Sequence, residues 1–176
     1  MSLIRVLLFL PDMDGGGAQR TFVNLANALP DEGIEPVLVT ARGDGPAKEW
    51  LHPSVRFVDL GSTQLRGALL LLRRFIQREQ PEVVAATIAD ANVIAWFAAY
   101  GTSAKTVLRE TNSHRARDDL GWLRRCLFAH CYSRADAIIA LSEGVRQELI
   151  EDYALDPCRT RTIHNPVNIQ SIESRL

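Results

Sequence analysis

A doubly wound α/β domain on a parallel sheet is the fold this sequence predicts, and three observations predict it. Short apolar runs without polar alternation recur along the chain, as strands buried on both faces of a parallel sheet do. Between them lie stretches whose apolar residues fall at helical spacing, the stripe of a helix packed on a sheet. Proline or glycine closes several of these segments. Strands alternating with helices at such intervals require right-handed crossovers and helices on both faces of the sheet.

The elements follow in order. Leu3 to Leu10, broken only by Arg5, reads as the first strand and ends at Pro11. After the glycines of DGGGAQR, Phe22, Leu25, Ala26 and Leu29 form a helical stripe that Pro30 and Gly33 close. Pro36 to Ala41 and Val55 to Leu60 read as strands two and three. Leu65 to Arg78 reads as a helix with Leu65, Leu69, Leu72 and Ile76 on one face. Val83 to Ile88 is a strand, Asn92 to Tyr100 a helix ending at Gly101, and Lys105 to Arg109 a strand. Leu120, Leu123, Leu127 and Cys131 mark a long helix with the leucines toward the core. Ala137 to Leu141 is a strand, Ser142 a helix N-cap, and Val145, Leu149 and Tyr153 the buried face of the helix it caps. Residues 1–165 make one domain, and residues 166–176, opening on Pro166, read as a linker.

Composition narrows the classes. A chain of 176 residues suits one domain, given roughly 100–200 residues per domain. Apolar residues at 47% and charged residues at 23% are the balance of a globular protein rather than a disordered tail. A net charge of −1 offers nucleic acid no general attraction. The densest basic patch is Arg115, Arg117, Arg124 and Arg125, an ordinary solvated helix face or a surface for peripheral membrane contact. Cys126, Cys131 and Cys158 have neither disulfide-framework nor zinc-ligand spacing, which suits a reducing cytoplasm, and no metal site is expected. No run reaches the ~20 apolar residues of a membrane span.

In an open parallel sheet, ligands bind outside the carboxyl ends of the strands where strand order reverses. The loops at Asp12 to Gly17, Ala89 to Asp90, Glu110 to His114 and Ser142 to Gly144 should therefore converge. Gly15, Gly16 and Gly17 let the backbone approach an anion such as a diphosphate at the positive end of the next helix; the plainer reading is a tight turn. GGGAQR lacks the third glycine of a dinucleotide fingerprint, no acidic residue ends the second strand, and a P-loop lysine is missing.

Gly16, Gly17, Ala18 and Arg20, the helix Asn24 to Leu29, and the stretch Asn165, Pro166, Val167 and Asn168 together resemble family 4 glycosyltransferases. These resemble G-G-A-x-R, N-L-A-x-x-L and N-P-V-D in that family, in the same order. The resemblance implies the Rossmann-like amino-terminal half of a GT-B fold, whose carboxyl-terminal donor-binding domain lies beyond this sequence. It also implies retaining transfer from a nucleoside diphosphate sugar to a hydroxyl of a glycan or lipid-linked acceptor, with no cofactor and no tightly bound metal. Gly15 to Gly17 would then meet the donor diphosphate. Glu110 stands nearest the position where relatives place a catalytic histidine, and His114 follows four residues later. Asp90, Thr111, Asn112 and Ser142 would line the acceptor side, although Asp90 and Ser142 also suit helix capping. The rival reading is a free-standing flavodoxin-like binding or regulatory domain.

Overall fold

The computed structural model describes residues 3–113, 115 and 121–166. Among them, seven strands form one parallel sheet in the order β3-β2-β1-β4-β5-β6-β7. The strands are β1 (Ile4–Leu10), β2 (Ile34–Thr40), β3 (Arg56–Asp59), β4 (Val83–Thr87), β5 (Lys105–Glu110), β6 (Ala137–Ala140) and β7 (Thr160–Thr162). The helices are α1 (Gly17–Ala28), α2 (Ala68–Glu79), α3 (Ala89–Ala99), α4 (Trp122–Arg134) and α5 (Glu143–Tyr153).

Winding explains which face each helix covers. From β1 the chain steps outward to β2 and β3, then returns through α2 to β4 and continues the other way. Right-handed crossovers in opposite directions place helices on opposite faces. On one face, Phe22, Val23 and Ala26 of α1 pack on Val6, Leu8, Leu10 and Leu38. On the other, Leu72, Phe75, Trp96, Phe128, Tyr132 and Leu149 of α2 to α5 pack on Leu7, Phe9, Val84, Leu108 and Ile138. The α1 side of β4, β5 and β6 is left as an open groove of ≈ 750 Å³, lined by Leu25, Ala85, Val107, Arg109, Ile139 and Ile163.

The structure departs from the sequence pattern in three places. Leu123 and Leu127 do not face the core: they are 65% and 38% exposed, and Phe128 and Tyr132 are buried beside Cys131, the one described member of the predicted stripe that is buried. Only the carboxyl-terminal half of α4 lies against the sheet side, so the buried stripe is rotated from the predicted one. Leu120 lies outside the described residues. Leu25, expected in the core, is exposed because it borders the groove. β7 was not anticipated, since Thr-Arg-Thr carries no apolar signal; its register with β6 (Ile138↔Thr160 to Ala140↔Thr162) makes it a strand.

At the amino-terminal edge, Glu79 bridges Arg56 at 2.7 Å and Arg78 at 2.9 Å. The hydrogen bond from Arg56, helped by Arg78, holds its carboxyl down at about 2 against an ordinary 4.5. A lowered folded-state pKa stabilises above the unfolded value and is lost as pH falls from about 4.5 toward about 2. Glu79→Gln should therefore lower stability at pH 7 by about 1 kcal/mol or less, given solvent screening, with the difference vanishing near pH 2 in urea titrations.

Candidate active site

β1 and β4 are neighbours, and the chain leaves their carboxyl ends in opposite directions, so the switch point lies between the glycine turn and the start of α3. Gly16 is the N-cap of α1 and supplies no side-chain acceptor. Among the described residues, no protein group accepts a hydrogen bond from the amides of Gly15, Gly16 or Gly17. A helix start with unsatisfied donors is an anion-binding arrangement. The turn itself is held from below, where Asp12 Oδ1 accepts from the Asp14 amide at 3.2 Å and from Gln19 Nε2 at 2.7 Å.

A rear wall, missed in the sequence, supports this turn. The loop after β2 carries Gly45, whose backbone sits at φ +136 with its α-carbon against Met13; the Ala47 amide donates to Met13 O at 3.0 Å. Pro46 and Trp50 stand where a side chain at Gly15 would meet them, at 3.2 and 3.4 Å from an added β-carbon, the Arg20 guanidinium stacks 4.8 Å from the Trp50 ring centroid, and Asn27 Nδ2 donates to Trp50 O at 2.8 Å. Arg42 reaches Asp14 at 3.3 Å. The clustered glycines and proline of ARGDGPA were the signal available for it.

On the β5 side, Glu110 is 2% exposed. Its Oε1 accepts from the amides of Thr111 (3.0 Å) and Asn112 (3.4 Å), and its Oε2 accepts from the Tyr132 hydroxyl at 2.7 Å. Thr111 is half-buried and Asn112 exposed. Beyond them, Ser113 Oγ donates to Glu148 Oε2 at 2.5 Å, the Arg115 amide donates to Glu148 Oε1 at 2.9 Å, and the Arg115 guanidinium grips Asp152 and Glu151. His114 and Arg117 lie outside the described residues.

Ser142 caps α5, its Oγ accepting from the Val145 amide at 3.3 Å. Asp90 does not cap α3. It lies inside the first turn and holds Arg124 through both carboxylate oxygens, at 2.5 and 2.7 Å, while Ile88, at φ 77, occupies the N-cap. That pairing also neutralises Arg124, one of the basic residues considered for membrane contact. A positive φ is costly for a β-branched residue, and this one reverses the chain beside the switch point.

The segment after β7 crosses back over the sheet. His164 Nδ1 lies 2.9 Å from Leu141 O, and Asn165 Oδ1 accepts from Arg109 Nη2 and lies 3.3 Å from Thr21 Oγ1 of α1, whose proton goes to the nearer Gly17 O at 2.8 Å. Arg109 is 6% exposed and donates also to Thr87 Oγ1 at 3.1 Å; burial lowers its pKa from the ordinary value while the Glu110 carboxylate opposes that. Asn165 thus ties the end of the described chain to Arg109 of β5, beside the glycine-turn helix. Among the described residues, no group of three or more His, Cys, Asp or Glu side chains is placed to hold a metal ion, and no helix is long and apolar enough to cross a membrane.

Comparison with known proteins agrees with this architecture. The chain superimposes on a glycosyltransferase from Rickettsia africae ESF-5 with a TM-score of 0.76 and 16% identity, covering 99% of this chain and 46% of that one. For Anabaena Alr3699/HepE in complex with UDP-glucose the values are 0.77 and 18%, covering 95% and 45%. For a UDP-N-acetylglucosamine 2-epimerase from Rickettsia bellii they are 0.68 and 14%, covering 99% and 47%. The chain therefore spans less than half the length of each, a share that fits one Rossmann-like half of a GT-B fold. No curated protein matches it in sequence. The sequence profile described as Glycosyltransferase Family 4 matches residues 15–171, nearly the whole chain. On that match, with the glycine turn and the sheet order behind it, the chain belongs to glycosyltransferase family 4.

Proposed function

We propose that this domain, residues 1–165, is the acceptor-side half of a retaining transferase that moves a sugar from a nucleoside diphosphate sugar to a hydroxyl of a glycan or lipid-linked acceptor. The observation that carries the reading is the row of unsatisfied amides at Gly15 to Gly17, set at the switch point and aligned with the start of α1. There they would stabilise the departing diphosphate by donors fixed before the reaction. The loops after β4, β5 and β6, with Asp90, Thr111, Asn112 and Ser142, would hold the acceptor near the anomeric carbon. His114, four residues after Glu110, is a proposed catalytic group. The chemistry assigned here uses no cofactor. A UDP-glucose complex of the Anabaena neighbour supports a nucleotide sugar as donor.

The grip on ribose, diphosphate and sugar belongs, on this reading, to a second domain reached through the linker that starts at residue 166. The open groove beside α1 supports it, since a parallel sheet is ordinarily covered on both faces. Calorimetry with UDP-glucose and other nucleotide sugars tests the proposal. The 176-residue chain should show no micromolar binding and no transfer, and joining it to a family 4 donor domain should restore both. Turnover by the isolated chain would overturn the half-site reading; no transfer from any nucleotide sugar after joining would overturn the function.

The location proposed is the cytoplasm, with peripheral contact to the inner face of a membrane as a further proposal. Trp122 and Leu123, 71% and 65% exposed at the start of α4, support peripheral contact there. Co-sedimentation with anionic vesicles at low salt should fall for Trp122→Ser with Leu123→Ser, while stability changes by no more than about 0.5 kcal/mol, as for surface positions generally.

A further inference from the structure

A buried chain of polar groups runs from α3 to the loop after β5. Asn92, fully buried, donates through Nδ2 to Arg109 O at 3.0 Å and to the Tyr132 hydroxyl at 3.2 Å. The hydroxyl in turn donates to Glu110 Oε2, while Glu110 Oε1 receives the amides of Thr111 and Asn112. Each member occupies a different element: α3, α4 and the end of β5. Tyr132 is among the largest fully buried side chains, and burial beside the Glu110 carboxylate pushes its phenol well above the ordinary range, so it remains a donor.

We propose that Tyr132 and Glu110 are positioning residues: anchored by Asn92, they fix the backbone of Thr111 and Asn112 and so the aim of the acceptor loop. Both carboxylate oxygens of Glu110 are held by donors of the protein itself, 2% exposed, which leaves neither oxygen presented to a substrate hydroxyl. A general base must reach the proton it removes, and moving Glu110 outward would break these bonds together. Further along, Ser113 and Arg115 are strapped separately to Glu148 of α5, so the Glu110 cap sets the near end of the loop. This role rests on the acceptor-side reading above, but the bonding it describes does not.

Two experiments separate them. In the 176-residue chain, hydrogen exchange at the Thr111 and Asn112 amides should accelerate about 10-fold or more in Tyr132→Phe, with the exchange of Leu8 in the central strand unchanged. Unchanged exchange at both amides would overturn the anchoring. Should Tyr132→Phe fail to fold, the same amides in Glu110→Gln give the answer, since the amide side chain can still accept from them but loses the Tyr132 donor geometry. In the transferase rejoined to a donor domain, Tyr132→Phe should raise the acceptor KM about 5-fold or more and lower kcat less, non-additively with Glu110→Gln. A general base would instead lose about 10²-fold or more in kcat in Glu110→Gln, with the acidic limb of the pH profile gone, and that result would overturn the positioning role. If the rejoined protein transfers no sugar, the function fails while the exchange data still decide the anchoring.

Discussion

Gly45→Ala is expected to destabilise the domain by about 3 kcal/mol or more, the sum of backbone strain and a steric clash with no soft partner. Gly45 has φ 136 and ψ 160, a region open essentially to glycine alone. A methyl group there would stand 2.1 Å from Met13 O and 2.3 Å from Met13 C, both backbone atoms. Relief therefore requires the loop after β2 to leave the glycine turn, breaking the Ala47 to Met13 hydrogen bond and withdrawing Pro46 and Trp50 from Gly15. The damage should reach the site as well as the stability. Gly61→Ala is the matched control: φ is 67 there, but no atom lies within 4 Å of the added carbon, so the cost should stay near 1 kcal/mol. Equal urea midpoints for the two variants would remove the rear wall from the account.

Gly17→Ala is expected to leave folding intact and to lower transfer by about 10²-fold in the protein carrying both domains, comparable to losing a preorganised oxyanion donor. The three glycines differ in what surrounds them. Gly15 has φ 88 and a methyl there would meet Pro46 and Trp50 at 3.2 and 3.4 Å, so substitution confounds strain with binding. A methyl at Gly16 would meet Gln19 Oε1 at 2.8 Å. At Gly17, the first residue of α1, nothing lies within 4 Å of the added carbon. Alanine is the better helix former by up to about 1 kcal/mol, so thermal stability should hold or rise. Helical side chains tilt toward the amino terminus, so the new methyl points toward the mouth where the diphosphate is proposed to sit. Full transfer activity and unchanged donor affinity in Gly17→Ala would sink the assignment of the glycine turn to the donor.

The parts of the fold legible in advance were those whose signal is local. Leu7 to Leu10 and Val84 to Ala86 are buried wherever they pair, so an unbroken apolar run was enough. Ser142 announces its role through one hydroxyl and the amide three residues on. Local signal failed where burial depends on a distant partner. The stripe of α4 could not be phased, because which of its faces meets the core depends on how far the helix overhangs the sheet. β7 became a strand only because β6 stood beside it. Glu110 was readable as a polar residue at a strand end, the right place for a site. That both its oxygens are held depends on Tyr132, 22 residues away, and on amides whose direction the backbone sets.

Composition and pattern by themselves determined the α/β class, the glycine turn at the first strand end and the family, because periodicity and short motifs are properties of neighbouring residues. Only the tertiary structure decided that Gly45 walls the turn, that Asp90 holds Arg124, that Asn165 clasps Arg109 beside Thr21, and that Tyr132 governs Glu110. Each of these is a contact across 22 or more residues of chain, and a hydrogen bond requires atoms within about 3 Å, a condition that only the folded path of the backbone can meet.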